Sequence, residues 1–264
     1  MQRRSTTTLV SFGIVLLLAG MVLLLGLLLH ARTGSGVLTV SFLHVGQGDA
    51  IYIETPNGNR VLVDGGNGAY VLRELGRMVP FFERTLDMVV ASHPDLDHIG
   101  GLPEVFARYR VLQFVESGVL DTGADNVALQ DAVAREGLTP LVGRRGMSFA
   151  LDTDVWLTVL FPDRDARELE ANTGSLVLRL SYGDTSFLLT GDAPVAIEEY
   201  VLQLDGSAVA STVLKLGHHG SRTSTHEAWL GFVDPAYAVV SAGCDNAYGH
   251  PHREVRLPAA PQLP

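Results

Sequence analysis

Residues 92–101, which read SHPDLDHIGG, concentrate side chains that could bind a metal ion. Within six positions this stretch carries two imidazoles and two carboxylates, those of His93, Asp95, Asp97 and His98. Crowded carboxylates and imidazoles repel and desolvate one another unless a cation lies between them. A solvated polar loop is the structural alternative, but this density of ligand types favours a metal site.

Two further groups of ligand types follow apolar runs later in the chain. Asp192 comes after the run at 186–189, and the pair His218 and His219 comes after the run at 212–216. Taken alone, such an aspartate is usually a turn former or a helix cap. Three groups in one chain, each at the end of a predicted strand, indicate loops that meet at one edge of the fold.

Strands and helices that alternate from Val37 onward must position these loops. The patterns predict strands over 37–43, 50–54, 60–63, 86–91, 155–160, 175–180, 186–189, 212–216 and 236–240. They predict helices over 70–78, 124–135 and 195–204, and a helix that begins at Leu102. Two sets of apolar strands interleaved with amphipathic helices indicate two packed sheets covered by helices.

The N-terminal stretch 9–29 is almost wholly apolar and carries no charged residue. It is long enough to cross a hydrocarbon core of about 30 Å, and Arg3 and Arg4 before it favour a cytoplasmic N-terminus. A cleaved signal peptide is the alternative, although its apolar core would be shorter. We expect a cytoplasmic segment at 1–8, a transmembrane signal anchor at 9–29, a linker at 30–36 and a globular domain at 37–264. The protein would then be a single-pass protein of the cell membrane with its domain outside the cytoplasm.

Composition limits the classes of function. The formal net charge of −10 argues against a surface that binds nucleic acid indiscriminately, because such surfaces are basic. The single cysteine, Cys244, excludes an intramolecular disulfide framework and a cysteine-rich zinc site. Metal ions or a few well-placed cations would therefore have to attract any anionic substrate.

Four of these segments resemble the successive motifs of the metallo-β-lactamase fold: VDGG at 63–66, the cluster at 92–101, TGD at 190–192 and HHGS at 218–221. Within that superfamily, the chain resembles the hydrolase domain of ComEC-type DNA-uptake proteins. This second resemblance rests on four motifs: VGQGDA at 45–50, SHPD at 92–95, GHHGS at 217–221 and YGHP at 248–251. The resemblance implies a four-layer αββα sandwich of the α/β class, preceded here by the transmembrane helix and ending in a trimmed C-terminus.

The resemblance also implies a centre for two divalent metal ions, Mn²⁺, Mg²⁺ or Zn²⁺. The implied ligands are His93, Asp95, Asp97, His98, Asp192 and His218, with Asp192 between the two ions. Asp64, Asp49 and Gln47 are implied as supports that orient the ligand loops. The choice between His218 and His219 as the ligand stays open.

Two departures from the family pattern bear on this centre. The superfamily commonly has a histidine where this chain has Asp95, and no histidine lies anywhere over 99–191, where a further ligand is expected. Asn172 lies in that stretch and could offer a neutral oxygen. Two divalent cations and three aspartates leave a local charge of about +1, which suits a phosphodiester anion. The oxygen-rich ligand set shifts the preference from zinc towards manganese or magnesium.

The resemblance implies a hydrolase, namely a phosphodiesterase or nuclease with a role in competence and DNA uptake, in which two metal ions activate a hydroxide. Asp97 is expected to steer the hydroxide, and His219 and Lys215 are candidates to assist the leaving group. Substrate contacts are expected from Ser221, Arg222, Asn172 and His250.

The expected partners are DNA or another phosphodiester, the membrane and a separate channel protein, and the oligomeric state is left open. The alternatives are a hydrolase of another ester or amide (a phosphorylcholine ester, a lactone or a β-lactam) and a non-catalytic, membrane-tethered metal-binding module.

Overall fold

A computed structural model describes residues 3–32 and 35–255 of the chain, with the backbone alone over 3–9 and 27–32. The described residues leave out parts of two expected segments, the cytoplasmic segment at 1–8 and the linker at 30–36. They also end at residue 255, so the expectation of a trimmed C-terminus lies outside them. The site discussed below lies wholly within residues 43–252.

The N-terminal helix α1 covers Arg3–Arg32. In the part of the chain that the structure describes, no helix is both long enough and apolar enough to cross a membrane. The side chains of α1 are described over 10–26, a stretch shorter than the roughly 20 apolar residues that a span requires. The expected transmembrane anchor at 9–29 is corrected accordingly, and the single-pass membrane location that depended on it has no support from the structure.

Two six-stranded sheets form the centre of the domain. The strands of the first, in spatial order, are β1 (Thr39–Phe42), β2 (Ile51–Glu54), β3 (Arg60–Val63), β5 (Met88–Ala91), β7 (Phe114–Glu116) and β8 (Leu141–Val142). Those of the second are β14 (Tyr237–Val239), β13 (Val213–Lys215), β12 (Thr185–Leu189), β11 (Val177–Tyr182), β10 (Val155–Phe161) and β9 (Ser148–Asp152). A small parallel pair, β4 (Thr85–Leu86) and β6 (Arg110–Val111), flanks the first sheet.

Helices cover the outer face of each sheet. The first sheet packs against α2 (Tyr70–Met78), α4 (Leu102–Arg108) and α5 (Ala124–Arg135), and the one-turn helix α3 (Leu96–Ile99) lies beside them. The second sheet packs against α6 (Val195–Asp205) and α7 (Glu227–Val233). Single turns of 3₁₀ helix occur at Asn172–Gly174, Gly206–Val209 and Arg253–Val255, and the turn at Gly217–Gly220 contains two residues with left-handed backbone.

Strand alternation explains why the domain has three apolar cores. In β2, Ile51 and Ile53 pack into the core between the sheets, whereas Tyr52 packs against the helices of the first sheet. Val61 and Leu178 extend the core between the sheets. The layers therefore stack as helix, sheet, sheet and helix, and the αββα part of the expected fold is confirmed.

Parallel pairs within each sheet position the polar loops. β3 and β5 are parallel neighbours in the first sheet, and β12 and β13 are parallel neighbours in the second. Since parallel strands end at the same edge of a sheet, the loops that follow β3 and β5 lie side by side, as do those that follow β12 and β13. The contacts described next show that the two pairs of loops meet.

Candidate metal centre

The carboxylate of Asp192, in the loop after β12, is surrounded by four imidazoles. The Nε2 atom of His98 lies 3.2 Å from Oδ1. The Nε2 atoms of His219, His218 and His93 lie 3.5, 3.6 and 4.0 Å from Oδ2. Atoms that share one cation are separated by distances of this order, since metal–nitrogen and metal–oxygen bonds are about 2.0–2.2 Å long.

The two remaining aspartates of the cluster each approach one of these imidazoles. Asp97 Oδ2 lies 3.1 Å from His219 Nε2, and Asp95 Oδ2 lies 3.6 Å from His93 Nε2. The structure therefore brings together all six residues that the resemblance implied as ligands, and it adds His219 to them. Their roles are taken up below as a proposal.

Each imidazole is held by a hydrogen bond at its other nitrogen. The partners of Nδ1 are Ser92 Oγ for His93 (3.0 Å), Asp64 Oδ2 for His98 (2.8 Å), Thr223 Oγ1 for His218 (3.1 Å) and the Ser241 carbonyl for His219 (3.0 Å). A neutral imidazole whose Nδ1–H is donated in this way presents the lone pair of Nε2. All four rings are therefore fixed with Nε2 directed at the aspartates, as metal-binding histidines usually are.

The inner atoms of the cluster lack hydrogen-bond partners. This is the case for Nε2 of His93, His98 and His219 and for Oδ1 of Asp192, all of which are buried. A buried polar atom without a partner costs free energy, and native structures contain few of them. Divalent cations bound between these nitrogen and carboxylate donors would satisfy all four atoms, so the donor set fits the metal centre that the family implies.

Asp49 lies close enough to the cluster to be considered a metal ligand. Its carboxylate is part of a group of four potential ligand atoms that all lie within 4.8 Å of one another, the other three belonging to His98, Asp192 and His219. However, Asp49 Oδ1 lies 3.4 Å from Nδ1 of His219, on the side of the ring away from Asp97. The other oxygen of Asp49 forms an ion pair with Lys215 Nζ, and both side chains are almost completely buried. Because Asp49 already has a cationic partner, we interpret it as a support behind His219.

The same ion pair determines where Lys215 lies. Its ammonium group points to Asp49 and is separated from Asp97 by the ring of His219. The structure does not bring Lys215 to the face of the cluster where a leaving group would depart. Charge balance explains its burial, since a buried carboxylate without a partner is strongly unfavourable.

Asp64, the first residue after β3, holds the loop that carries the cluster through hydrogen bonds to Ser92 and His98. Its Oδ1 accepts the Ser92 backbone N–H at 2.7 Å, and its Oδ2 accepts the Ser92 hydroxyl at 2.7 Å as well as His98 Nδ1–H. Asp64 adopts a left-handed backbone with φ of 61°, a conformation that aspartate tolerates better than most residues. Gln47 makes a comparable link, because its Oε1 accepts the N–H of Gly243 at 3.1 Å.

The backbone of the histidine pair is strained. His218 and His219 both have left-handed conformations, with φ of 49° and 56°. Residues other than glycine usually avoid this region, at a cost of about 1–3 kcal/mol each. The loop is held in place by the Thr225 hydroxyl, which accepts the N–H of Gly217 at 3.0 Å. Two consecutive left-handed residues direct both rings towards Asp192, whereas in an extended strand they would point to opposite faces.

Electrostatic interactions in the cluster favour the protonated form of two imidazoles, those of His219 and His98. Burial alone would lower the pKa of His219, but the neighbouring carboxylates of Asp49 and Asp97 outweigh it and raise the pKa to about 9. Burial also opposes the charge on His98, yet the carboxylates of Asp192 and Asp64 raise its pKa well above the usual value. The pKa of Asp192 is lowered well below its usual range, because the surrounding imidazoles outweigh the effect of burial.

The cluster opens to solvent beside Asp95 and Asp97, whose side chains are 43% and 31% exposed. His250 lies at this opening, with its ring centroid 5.7 Å from that of His218 and 6.2 Å from that of His219. Burial and the neighbouring imidazoles lower the pKa of His250 to about 4, so its ring is neutral near neutral pH. The neutral ring can therefore stack, accept a hydrogen bond at one nitrogen and donate one at the other, but it carries no positive charge.

The other residues expected to bind substrate lie in different settings. Arg222 is exposed beside His252, and its backbone N–H donates to His252 Nδ1 at 3.1 Å. Ser221 is buried and hydrogen-bonds to the Thr223 hydroxyl at 2.9 Å, so it supports the histidine loop and is turned away from solvent. Asn172 has a buried Oδ1 without a hydrogen-bond partner.

Two contacts of the cluster were not predicted. The carbonyl of Ser241 fixes His219, and because it is a backbone atom no residue type signals it. The hydroxyl of Thr223 fixes His218, although the hydroxyl-rich stretch 221–225 suggested contacts to phosphate. The contact between Thr223 and His218 could have been suggested only by their separation of five residues within a tight loop.

Comparison with known proteins agrees with this geometry. The family model described as the metallo-beta-lactamase superfamily matches residues 43–243. Among curated proteins, the chain is 32% identical to ComE operon protein 3 of Bacillus subtilis over 82% of this chain and 30% of that protein. It is 31% identical to competence protein ComA of Neisseria gonorrhoeae over 82% of this chain and 29% of that protein. The chain thus spans about a third or less of the length of these relatives.

A solved structure supports the fold. The metallo hydrolase Igni18 of Ignicoccus hospitalis superposes with a TM-score of 0.52 at 16% identity, covering 76% of this chain and 82% of that protein. At this level of identity the likeness concerns the fold alone. The expected resemblance to metallo-β-lactamase-fold proteins of the competence type is confirmed by the family model and the curated relatives.

Proposed function

The chain belongs to the metallo-beta-lactamase superfamily, and from that membership and its cluster of ligand types we propose that it is a phosphodiesterase that cleaves nucleic acid with two divalent cations. The superfamily and the cluster support a metal-dependent hydrolase. The observation that carries the proposal is the convergence of four imidazole Nε2 atoms on the single carboxylate of Asp192.

The residues divide into two sets of donors. One cation would be held by His93, Asp95 and His218, and the other by Asp97, His98 and His219. Asp192 would contribute to both sets. In this assignment His218 replaces the histidine that is missing from 99–191. Four imidazoles make the set richer in nitrogen than the sequence suggested, and Mg²⁺ prefers oxygen ligands. We therefore propose Mn²⁺ or Zn²⁺ as the cations.

When bound, such cations supply positive charge that polarises a water molecule and the phosphodiester. The protein's own residues do the rest. Asp97 is charged near neutral pH, because the imidazoles of His219 and His98 outweigh burial and lower its pKa. It is also partly exposed, so it can orient a water molecule at the opening. Asp64 and Asp49 hold His98 and His219 in place, which fixes the shape of the cluster before substrate arrives.

The preference for a phosphodiester rests on charge and on the relatives. Arg222 is exposed in the loop that follows the histidine pair, and a guanidinium suits phosphate oxygens. An otherwise acidic protein must attract an anion locally, and here a guanidinium would be combined with the proposed cations. Proteins named for competence and recombination among the relatives favour nucleic acid over another diester.

The test uses the purified full chain with Mn²⁺, Zn²⁺ or Mg²⁺ and three kinds of substrate: bis-p-nitrophenyl phosphate, DNA and nitrocefin. We expect turnover of the diesters that is lost in Asp97→Ala and unchanged in Asp131→Ala, an exposed aspartate on α5 that serves as the matched control. Turnover of nitrocefin without turnover of bis-p-nitrophenyl phosphate or DNA would overturn the proposal. So would metal binding without turnover of any substrate, which would identify a binding module.

A further inference from the structure

Tyr248 presents a large aromatic face to solvent close to the metal-ligand cluster. Its side chain is 67% exposed, and its ring stacks on that of His250 with centroids 5.5 Å apart and planes inclined by 22°. His250 in turn contacts the rings of both His218 and His219. A continuous series of rings therefore leads from the solvent to the cluster.

We propose that Tyr248 and His250 form a stacking platform for an unpaired base, so that the substrate of this site is a single-stranded nucleic acid. This inference rests on the proposed function, and it adds the substrate class and a residue that determines specificity. Base stacking on aromatic rings beside a groove of positive charge is the usual way in which proteins hold single strands.

The loop that carries Tyr248 is held rigidly. Asn246 donates from Nδ2 to the carbonyls of Gly243 and His250 at 2.7 Å each, and its Oδ1 accepts the N–H of His250 at 2.9 Å. A flexible loop would lose conformational entropy when a base bound, whereas a pre-organised loop loses little. The exposed ring of Tyr248 is thus held in one place before any ligand is present.

The loop is also fastened to two other loops of the site. At its start, the N–H of Gly243 donates to Gln47 Oε1, in the loop that carries Asp49. At its end, the N–H of His252 donates to the carbonyl of Gly220 at 2.9 Å, in the loop of the histidine pair. The position of Tyr248 relative to the cluster is therefore set by hydrogen bonds at both ends.

A guanidinium extends the platform along the same opening. Arg222 Nη2 lies 3.5 Å from Nε2 of His252, whose ring contacts that of His250 edge to face at 4.8 Å. Among the residues that the structure describes, Arg222 has no carboxylate partner. A free guanidinium beside an aromatic face suits a strand whose base stacks while its phosphates follow the positive charge.

The arrangement favours a single strand over a duplex. Bases in a duplex are already stacked and paired, and exposing the face of one of them costs a few kcal/mol. The bases of a single strand can turn out onto an aromatic ring at little cost. Because Tyr248 is connected to the histidine pair through His250, a base on its ring would place a neighbouring phosphate near the proposed cations.

The experiment compares a thymidine dodecamer, the same dodecamer with abasic residues, and a duplex of the same length, using the full chain with Mn²⁺. We expect the wild-type protein to prefer the thymidine strand to both others. Tyr248→Ala should lower kcat/KM for the thymidine strand by about 10- to 100-fold, mainly through KM, and leave the abasic strand within about two-fold. Tyr248→Phe should retain the wild-type values because it keeps the ring.

Phe81→Ala is the matched control, because it removes an exposed aromatic ring from the loop after α2 and should change nothing. Equal losses on the thymidine and abasic strands in Tyr248→Ala would overturn the platform, and so would no loss on either. A preference of the wild type for the duplex would overturn the assignment of substrate class.

A binding measurement separates failure of the platform from failure of the proposed function. The fluorescence anisotropy of the labelled thymidine strand is measured with the EDTA-treated protein, in which no hydrolysis occurs. Binding that Tyr248→Ala weakens at least ten-fold supports the platform even if no diester is hydrolysed with any metal. Equal binding by the wild type and Tyr248→Ala overturns the platform even if bis-p-nitrophenyl phosphate is hydrolysed.

Discussion

His218 and His219 are neighbours in the chain, yet their Nε2 atoms lie 3.6 and 3.5 Å from the same oxygen of Asp192. Side chains of consecutive residues in an extended strand point to opposite faces, so this convergence requires the left-handed backbone that both residues adopt. A strained backbone persists only where its surroundings fix it, and such strain clusters at functional sites. The backbone strain of His218 and His219 is therefore associated with the positioning of both imidazoles beside Asp192.

The first prediction concerns which of the two proposed cations His218 and His219 each bind. His218→Ala and His219→Ala should each remove one donor from a different cation, so each variant should bind about one Mn²⁺ per chain with wild-type-like affinity and the second far more weakly. Isothermal titration calorimetry measures both steps. His44→Ala, at an exposed position outside the cluster, is the control and should bind like the wild type. If His218→Ala also bound like the wild type, His218 would be no ligand.

The second prediction concerns Asp64. Asp64→Asn keeps a residue that tolerates φ of 61°, but its single carbonyl oxygen cannot accept the Ser92 backbone N–H as well as the Ser92 hydroxyl and His98 Nδ1–H. We expect Mn²⁺ affinity to fall by about 10- to 100-fold while the fold is retained, since a residue that orients a ligand acts on this scale. Asp154→Asn, at another aspartate with positive φ, controls for the backbone effect. Unchanged affinity in Asp64→Asn would show that the orientation of His98 does not depend on this contact.

The third prediction concerns the buried ion pair of Lys215 and Asp49. Lys215→Met leaves a buried carboxylate without its cation, and we expect the free energy of unfolding to fall by about 3–5 kcal/mol. Urea denaturation in EDTA at pH 7 measures this loss. The double variant Lys215→Met with Asp49→Asn should recover part of it, because the unpaired charge is gone. A loss below about 1 kcal/mol in the single variant would mean that Asp49 is compensated in another way.

The fourth prediction follows from the pKa of about 9 for His219 in the metal-free protein, against an ordinary value of 6.5. Between pH 6.5 and 9 the folded state holds a proton that the unfolded state has released, so the stability gained from that proton is complete below pH 6.5 and is lost as the pH rises through about 9. We expect the unfolding free energy of EDTA-treated protein to decrease by about 1–3 kcal/mol across this window.

Metal affinity should change in the opposite direction, since cations must displace the protons of His98 and His219. Denaturation with Mn²⁺ and with EDTA at pH 6, 7.5 and 9 tests both trends. Stability in EDTA that rose with pH over this window would contradict the assigned proton on His219. His226→Ala, which removes a histidine outside the cluster, serves as a control for the remaining pH dependence.

Much of the architecture could be predicted from the sequence, because buried strands form apolar runs and the helices lie between turn residues. The helices at Tyr70–Met78 and Ala124–Arg135 have the predicted bounds, whereas β6, β7, β8, β9 and α7 were missed. In the two-residue strand β8, Leu141 and Val142 are both partly exposed, so no alternation marks it. Strands of this length are defined by pairing with their neighbours, and a single sequence does not contain that information.

The meeting of the loops was predictable, but the geometry within them was not. Residue types at strand ends indicated that Asp97, Asp192 and His218 would come together. The place of Lys215 was not predictable, because its ion pair with Asp49 joins residues far apart in the chain. The stack of Tyr248 on His250 likewise depends on the shape of a loop without periodic structure.

The central claim is that this cluster holds a pair of divalent cations around Asp192. The most direct measurement is the Mn²⁺ content of the full chain after equilibrium dialysis, determined by atomic emission for the wild type and Asp192→Asn. We predict two Mn²⁺ per wild-type chain and fewer than one in Asp192→Asn, because both cations would lose the carboxylate that they share. Retention of no Mn²⁺ by the wild type, or of two by Asp192→Asn, would contradict the claim.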